Sequence, residues 1–281
     1  MEKPPVSETP IPARRSRSPL IAILLLVIAA LILALGVLIV DRQRLNARLD
    51  EAQSAIAASA AGTTGGAGST GGAEGSRTPA ASDELAIPSA TDPAQLEIIR
   101  AQARRDPDDP QAFGKADAPV VMVLYSDFAC PYCTLFAKEV EPGLADLINN
   151  GTLRIEWRDL AQITETSPLA ARAGRAAAAQ GRFWEFHDAV YAAAGEGEHP
   201  EYTQENLLEF ARAAAVPDLD AFTATMNAEE TKTAVEEAKT KAYSIGVQGT
   251  PFMFIGDAFV SGYRELDVIR ATVLAQAEAA K

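Results

Sequence analysis

The only two cysteines in these 281 residues stand three apart, in the run Ala129-Cys130-Pro131-Tyr132-Cys133. Such a pair can be a redox dithiol, a structural disulfide, or half of a zinc site. The surroundings weigh between these readings. The apolar, β-branched run PVVMVLYSD at 119–127 reads as a buried strand, and residues 134–149 read as a helix. Cys130 therefore sits where a strand passes into a helix. Unpaired backbone N–H groups and the positive end of the helix dipole favour a thiolate there. The thiolate is the attacking species in disulfide exchange. Cys133, one helical turn on, can reach the first sulfur, and Pro131 is tolerated in the first turn.

A structural disulfide over so short a loop stabilises by only about 2 kcal/mol. A zinc site would need Cys130 and Cys133 joined by His187 and His199. His187 lies in the aromatic run FWEFHDAVY and reads as a partly buried helix residue. His199, in GEGEHPE, reads as solvated. The redox dithiol fits best. A second feature bears on it: Gly246-Val247-Gln248-Gly249-Thr250-Pro251 leads into the strand 252–256. Proline is acceptable at a strand's first position. An Xaa-Pro bond can be cis, but spacing alone leaves trans as its ordinary state.

The elements around these residues form an order. A helix is predicted over 92–105, with Asp92 or Thr91 as N-cap and Pro93 at the first position. The Asp/Pro-rich stretch 106–110 ends it. After the strand and helix around the cysteines comes a second strand over 152–158. Residues 164–245 are helical almost throughout, at 168–180, 182–194, 203–215, 218–227 and 229–244. Strands at 252–256 and 258–261 follow, joined through Gly256-Asp257, and a last helix over about 264–279.

Three stretches together resemble the thioredoxin superfamily, in its disulfide-bond oxidoreductase A (DsbA)-like branch. They are DAPVVMVLYSDFACPYC at 117–133, AAAAQGRFWEFHDAVY at 176–191 and GVQGTPFMFIGDAFVSGY at 246–263. The resemblance covers about 110–279 and implies an α/β, thioredoxin-like fold with an inserted helical domain at about 164–245. It implies that Cys130 is the exposed nucleophile, that Cys133 resolves, and that the pair cycles through a Cys130–Cys133 disulfide. Pro131 and Tyr132 support the pair. Thr250 and Pro251 form a cis-proline turn packed against it. One position departs from the pattern. Members often carry a buried acid six residues before the first cysteine, where this chain has Leu124. Asp127 is nearer the cysteine but is expected on the other face of the strand.

Residues 20–40 are 21 positions without a polar side chain. As a helix they span about 32 Å, matching a hydrocarbon core of about 30 Å. A core helix is normally amphipathic, and this one is apolar all round. A cleaved signal has a shorter apolar run ending at small residues, whereas Arg42, Gln43 and Arg44 follow this one. An uncleaved anchor is expected. Lys3, Arg14, Arg15 and Arg17 precede it and Arg42, Arg44 and Arg48 follow it, which leans the N-terminus towards the cytoplasm. The expected plan is a cytoplasmic tail (1–19), a transmembrane helix (20–40), a juxtamembrane helix and Gly/Ser/Thr-rich linker (41–84), and the DsbA-like domain (85–281).

Charge is divided along the chain. Residues 1–82 hold 8 Lys/Arg against 6 Asp/Glu, and the remainder holds 17 against 32, a net of −15. So acidic a body excludes nucleic acid as partner, since phosphate contacts need clustered Lys and Arg. Two cysteines exclude a disulfide-rich scaffold.

The resulting expectation is a membrane-anchored thiol–disulfide oxidoreductase outside the cytoplasm of a bacterial cell. It would introduce disulfides into exported cysteine-containing proteins without a cofactor or metal. A quinone-linked membrane protein of the DsbB or vitamin K epoxide reductase-like type would recycle it. Two alternatives stay open: a reductase or isomerase on the same fold, and a non-catalytic tethered binding module.

Overall fold

The computed structural model describes residues 85–195 and 198–281. The tail, the apolar run 20–40 and the linker lie outside the described residues. Among the described residues, no helix is long and apolar enough to cross a membrane.

Five strands form one mixed sheet in the order β1-β3-β2-β4-β5. They are β1 (Ala112–Phe113), β2 (Val120–Ser126), β3 (Leu153–Asp159), β4 (Phe252–Ile255) and β5 (Ala258–Ser261). β2 is central. It pairs in parallel with β3 and antiparallel with β4, so Leu124 lies between Trp157 and Met253. All seven residues of β2 are buried, which the unbroken apolar run anticipates. Its two faces serve different cores. Val120, Met122 and Leu124 join Phe128, Cys133 and Phe136, whereas Val121, Val123 and Tyr125 join Ile99, Leu160, Val247 and Phe254. Phe128 stacks on Trp157 of β3 with ring centroids 5.0 Å apart.

The first two helices depart most from expectation, each for a physical reason. The first helix, α1 (Pro93–Arg100), is N-capped by the Asp92 carboxylate and stops five residues early. Past its end, the Arg104 and Arg105 N–H groups donate to the Glu156 carboxylate at 2.9 and 2.8 Å. Arg154 and Arg158 close on the same carboxylate at 3.0 and 2.7 Å, so the polar face of β3 is buried as an ion cluster. The predicted helix at 134–149 begins earlier, as α2 (Pro131–Leu135), and is broken. A π turn (Phe136–Val140) and a 3-10 turn (Glu141–Leu144) precede α3 (Ala145–Asn149). Pro142 has no N–H for a continuous ladder, and the wider turn places the Glu141 N–H on Phe136 O instead. The last helix, α9 (Leu266–Ala279), begins two residues late.

Between β3 and β4 run five helices: α4 (Ser167–Ala178), α5 (Phe183–Ala193), α6 (Gln204–Ala213), α7 (Leu219–Asn227) and α8 (Glu229–Ser244). Thr203 and Asn206 form a capping box at α6. α4 buries eight of its twelve residues, mostly alanine, against its neighbours. The β4–β5 turn passes through Gly256 at φ +56°, where a Cβ would meet Gln276 Oε1 at 2.7 Å. Only glycine fits that approach.

Candidate active site

Cys130 is the N-cap of α2, in extended conformation, with Pro131 in the first turn. Its carbonyl accepts the N–H groups of Cys133 and Thr134, each at 3.0 Å. Both cysteines are free thiols. Opposite them the Thr250–Pro251 peptide is cis, and the Cys130 thiol donates to Thr250 O at 3.3 Å. Pro251 is buried and Tyr132 is 59% exposed.

The exposed nucleophile that the resemblance implies needs correction. Cys130 is 3% exposed and Cys133 2%, so overall exposure does not separate them. Their partners do. The Cys130 pKa falls from 9.0 to about 6, first because the Cys133 thiol donates to it. Burial opposes the shift, and the Thr250 hydroxyl and the Cys133 and Tyr132 amides add to it. The helix-terminus amides singled out in the sequence are therefore the smaller contributors. Thr250 Oγ1 is buried with no other partner, which leaves its proton for a Cys130 thiolate. Cys133 moves the other way. Burial and the neighbouring Cys130 charge push its thiol well above the ordinary range, against the Ser126 hydroxyl and the Asp127 amide. One sulfur is poised as a thiolate and the other is held as a thiol.

Asp127 turns its carboxylate away from the cysteines. One oxygen accepts the Ala129 N–H at 2.9 Å, and the other accepts Gln162 and Ile163 N–H at 2.7 and 2.8 Å. It ties the cysteine loop to the β3–α4 loop. Gln162 extends the tie, donating to Gln248 O at 2.9 Å and accepting from Tyr243 OH at 2.6 Å. Neither role was read in the sequence. The Asx-turn spacing from Asp127 to Ala129 was the only local signal. Leu124 is fully buried in the cysteine-side core.

The histidines are apart from this site. His187 on α5 is 1% exposed, more buried than expected, with Nδ1 2.9 Å from Asp188 and Nε2 3.5 Å from Glu141. His199 stacks on Tyr202. The four residues of the zinc alternative are not brought together, and no metal-binding cluster occurs among the described residues.

A family model described as thioredoxin matches residues 107–274. The chain belongs to this thioredoxin family. Its thioredoxin domain is 30% identical to a probable disulfide bond formation protein D of Bacillus anthracis, over 52% of this chain and 69% of that protein. It is 33% identical to the Na(+)/H(+) antiporter NhaA 1 of Salinispora arenicola, over 63% of this chain. That match spans only 26% of the antiporter's length. The fold is similar to the crystal structure of oxidised BdbD from Bacillus subtilis, with a TM-score of 0.55 and 23% identity. The likeness covers 60% of this chain and 92% of that one.

Proposed function

We propose that this chain is a protein thiol–disulfide oxidoreductase working through Cys130 and Cys133 in the oxidising direction. The observation that supports it best is the split between the two sulfurs, with Cys130 at about 6 and Cys133 raised. In the oxidising cycle a substrate thiolate attacks Cys130 Sγ. A substrate–Cys130 disulfide forms, the Cys130–Cys133 bond breaks, and its electron pair goes to Cys133. A second substrate thiolate then attacks the substrate sulfur and releases Cys130 as a thiolate. The substrate is oxidised by two electrons and the enzyme is reduced by two. At pH 7 a group with a pKa of about 6 is about nine-tenths ionised, which makes Cys130 a good leaving group. The contact of Thr250 O with Cys130 supports an extended substrate pairing with the chain there.

The resemblance to disulfide bond formation proteins supports exported proteins with cysteines as substrates. The apolar run 20–40 supports an anchor in the cytoplasmic membrane, with the catalytic domain outside. There disulfides persist, and a quinone-linked membrane protein would restore the Cys130–Cys133 disulfide. The deciding experiment is the reduction potential of the domain 85–281 in glutathione buffers. A value near about −120 mV supports an oxidase, and one near about −270 mV would assign a reductase. Accessibility of the domain to protease in spheroplasts tests the topology, and full protection would refute it.

A further inference from the structure

In the cycle just described, Cys133 leaves with an electron pair at a position that is 2% exposed. Leu124, Phe128 and Phe136, buried in the same core, have no polar side-chain group to offer that charge. Ser126 follows Val120, Met122 and Leu124 on the face of β2 that packs with Cys133, and its hydroxyl and the Asp127 amide act to hold the Cys133 pKa down against burial. Ser126, 3% exposed at the end of β2, is not isolated. Its Oγ lies 3.1 Å from Tyr191 OH, which is also 3.2 Å from the Asp127 carbonyl oxygen. Tyr191 comes from α5 in the inserted helices and is equally buried. Burial keeps its phenol protonated, with the charges of Cys133 and Glu141 acting in the same direction.

The two hydroxyls can be satisfied in two ways. With a neutral Cys133, Ser126 donates to Tyr191 and Tyr191 donates to Asp127 O. With a Cys133 thiolate, Tyr191 donates to Ser126 and Ser126 donates to the sulfur. Reversal moves hydrogen bonds and transfers no proton. We propose that Ser126 and Tyr191 are positioning residues that stabilise Cys133 as the leaving thiolate, Tyr191 acting through Ser126. The inference rests on Cys133 being the sulfur that departs. The sulfur keeps its charge until it takes a proton, and the second substrate thiol releases one on becoming a thiolate, so the cycle balances.

The test uses the disulfide form and dithiothreitol, with reduction followed by tryptophan fluorescence at pH 7. Ser126→Ala should slow reduction about tenfold, the loss expected of one hydrogen bond to a charge. Tyr191→Phe should slow it about threefold. The double variant should be no slower than Ser126→Ala alone, because the second residue acts through the first. Ser126→Thr, which keeps the hydroxyl, should stay within about twofold of wild type. Alkylation of Cys130 by iodoacetamide in the reduced protein should stay unchanged, since Cys133 does not leave in that reaction. Tyr202→Phe is the structural control. Its equally buried hydroxyl donates to Phe128 O at 2.6 Å, and its loss should leave the reduction rate unchanged. Wild-type rates in both single variants, or losses that multiply in the double variant, would overturn the proposal. Peptide mapping separates this failure from failure of the functional reading. A small thiol trapped on Cys133 rather than Cys130 would overturn both.

Discussion

Replacing Thr250 by valine removes one hydroxyl and keeps the shape. Thr250 Oγ1 has no hydrogen-bond partner in the dithiol protein, so the change orphans no other group. Thr250 O, which accepts from the Cys130 thiol, is backbone and remains. What disappears is the donor to the thiolate. A hydrogen bond to a charge contributes about 1.5–3 kcal/mol, and one pKa unit is about 1.4 kcal/mol. The Cys130 pKa should therefore rise by about one to two units. At pH 7 the reduced form then loses about 1.1–1.4 kcal/mol, because little thiolate remains to lose beyond that. For a two-electron couple this lowers the reduction potential by about 25–30 mV, making the disulfide a weaker oxidant. Thiolate absorbance at 240 nm against pH reads the first quantity, and equilibration with glutathione reads the second. An unchanged Cys130 titration, or a raised pKa with an unchanged potential, would refute the assignment of the Thr250 hydroxyl to the thiolate.

Asp127→Asn should destabilise the domain by about 2–3 kcal/mol in urea denaturation and lower turnover. An amide cannot accept the Gln162 and Ile163 N–H groups while its other end accepts from Ala129. Glu156→Gln leaves Arg154 and Arg158 buried without their carboxylate. It should cost about 3–5 kcal/mol and leave the Cys130 titration unchanged, as absorbance at 240 nm would show. The reduced protein should lose stability with acid in a way that the disulfide form does not. The Cys130 pKa is lowered on folding from 9.0 to about 6. The stabilisation it brings is therefore complete above about pH 9 and gone below about pH 6. Thermal melts of both forms between pH 5 and 9 would show the gap, and parallel curves would contradict it. Cys133→Ala should accumulate mixed disulfides on Cys130, detectable by mass spectrometry, and Cys130→Ser should accumulate none.

Much of the architecture could be read along the chain because its causes are local. Unbroken apolar character marks β2, helical periodicity marks α4 to α8, and Asp92-Pro93 marks the start of α1. The break at Pro142 was legible by the same local rules, although the run 134–149 was expected as one helix. Other features have causes distant in sequence. The chain just past α1 is held by Glu156, about fifty residues on, which takes the Arg104 and Arg105 N–H groups. The cysteines were plain as chemistry, but their division of roles depends on contacts from elsewhere. Ser126 and Tyr191 lie 65 residues apart, and Cys130 and Thr250 lie 120 apart. Gln162 and Tyr243, both near the two active loops, have no local signature at all.

The two-sided character of β2 limits how this region of the chain can change length. Even-numbered residues from Val120 to Ser126 serve the cysteine side, and odd-numbered ones serve the opposite core. Deleting one residue within the strand would exchange the two sets beyond the deletion. The Ser126 hydroxyl would then face Ile99 and Phe254, and the Tyr125 ring would be driven towards Cys133. Deleting two would restore the faces but pull Cys130 about 7 Å back along the sheet, away from Thr250. Neither change has a nearby compensation, so length variation in this domain belongs in the loops and in the inserted helices. The stretch from Val120 to Cys133 should tolerate substitution far better than any insertion or deletion.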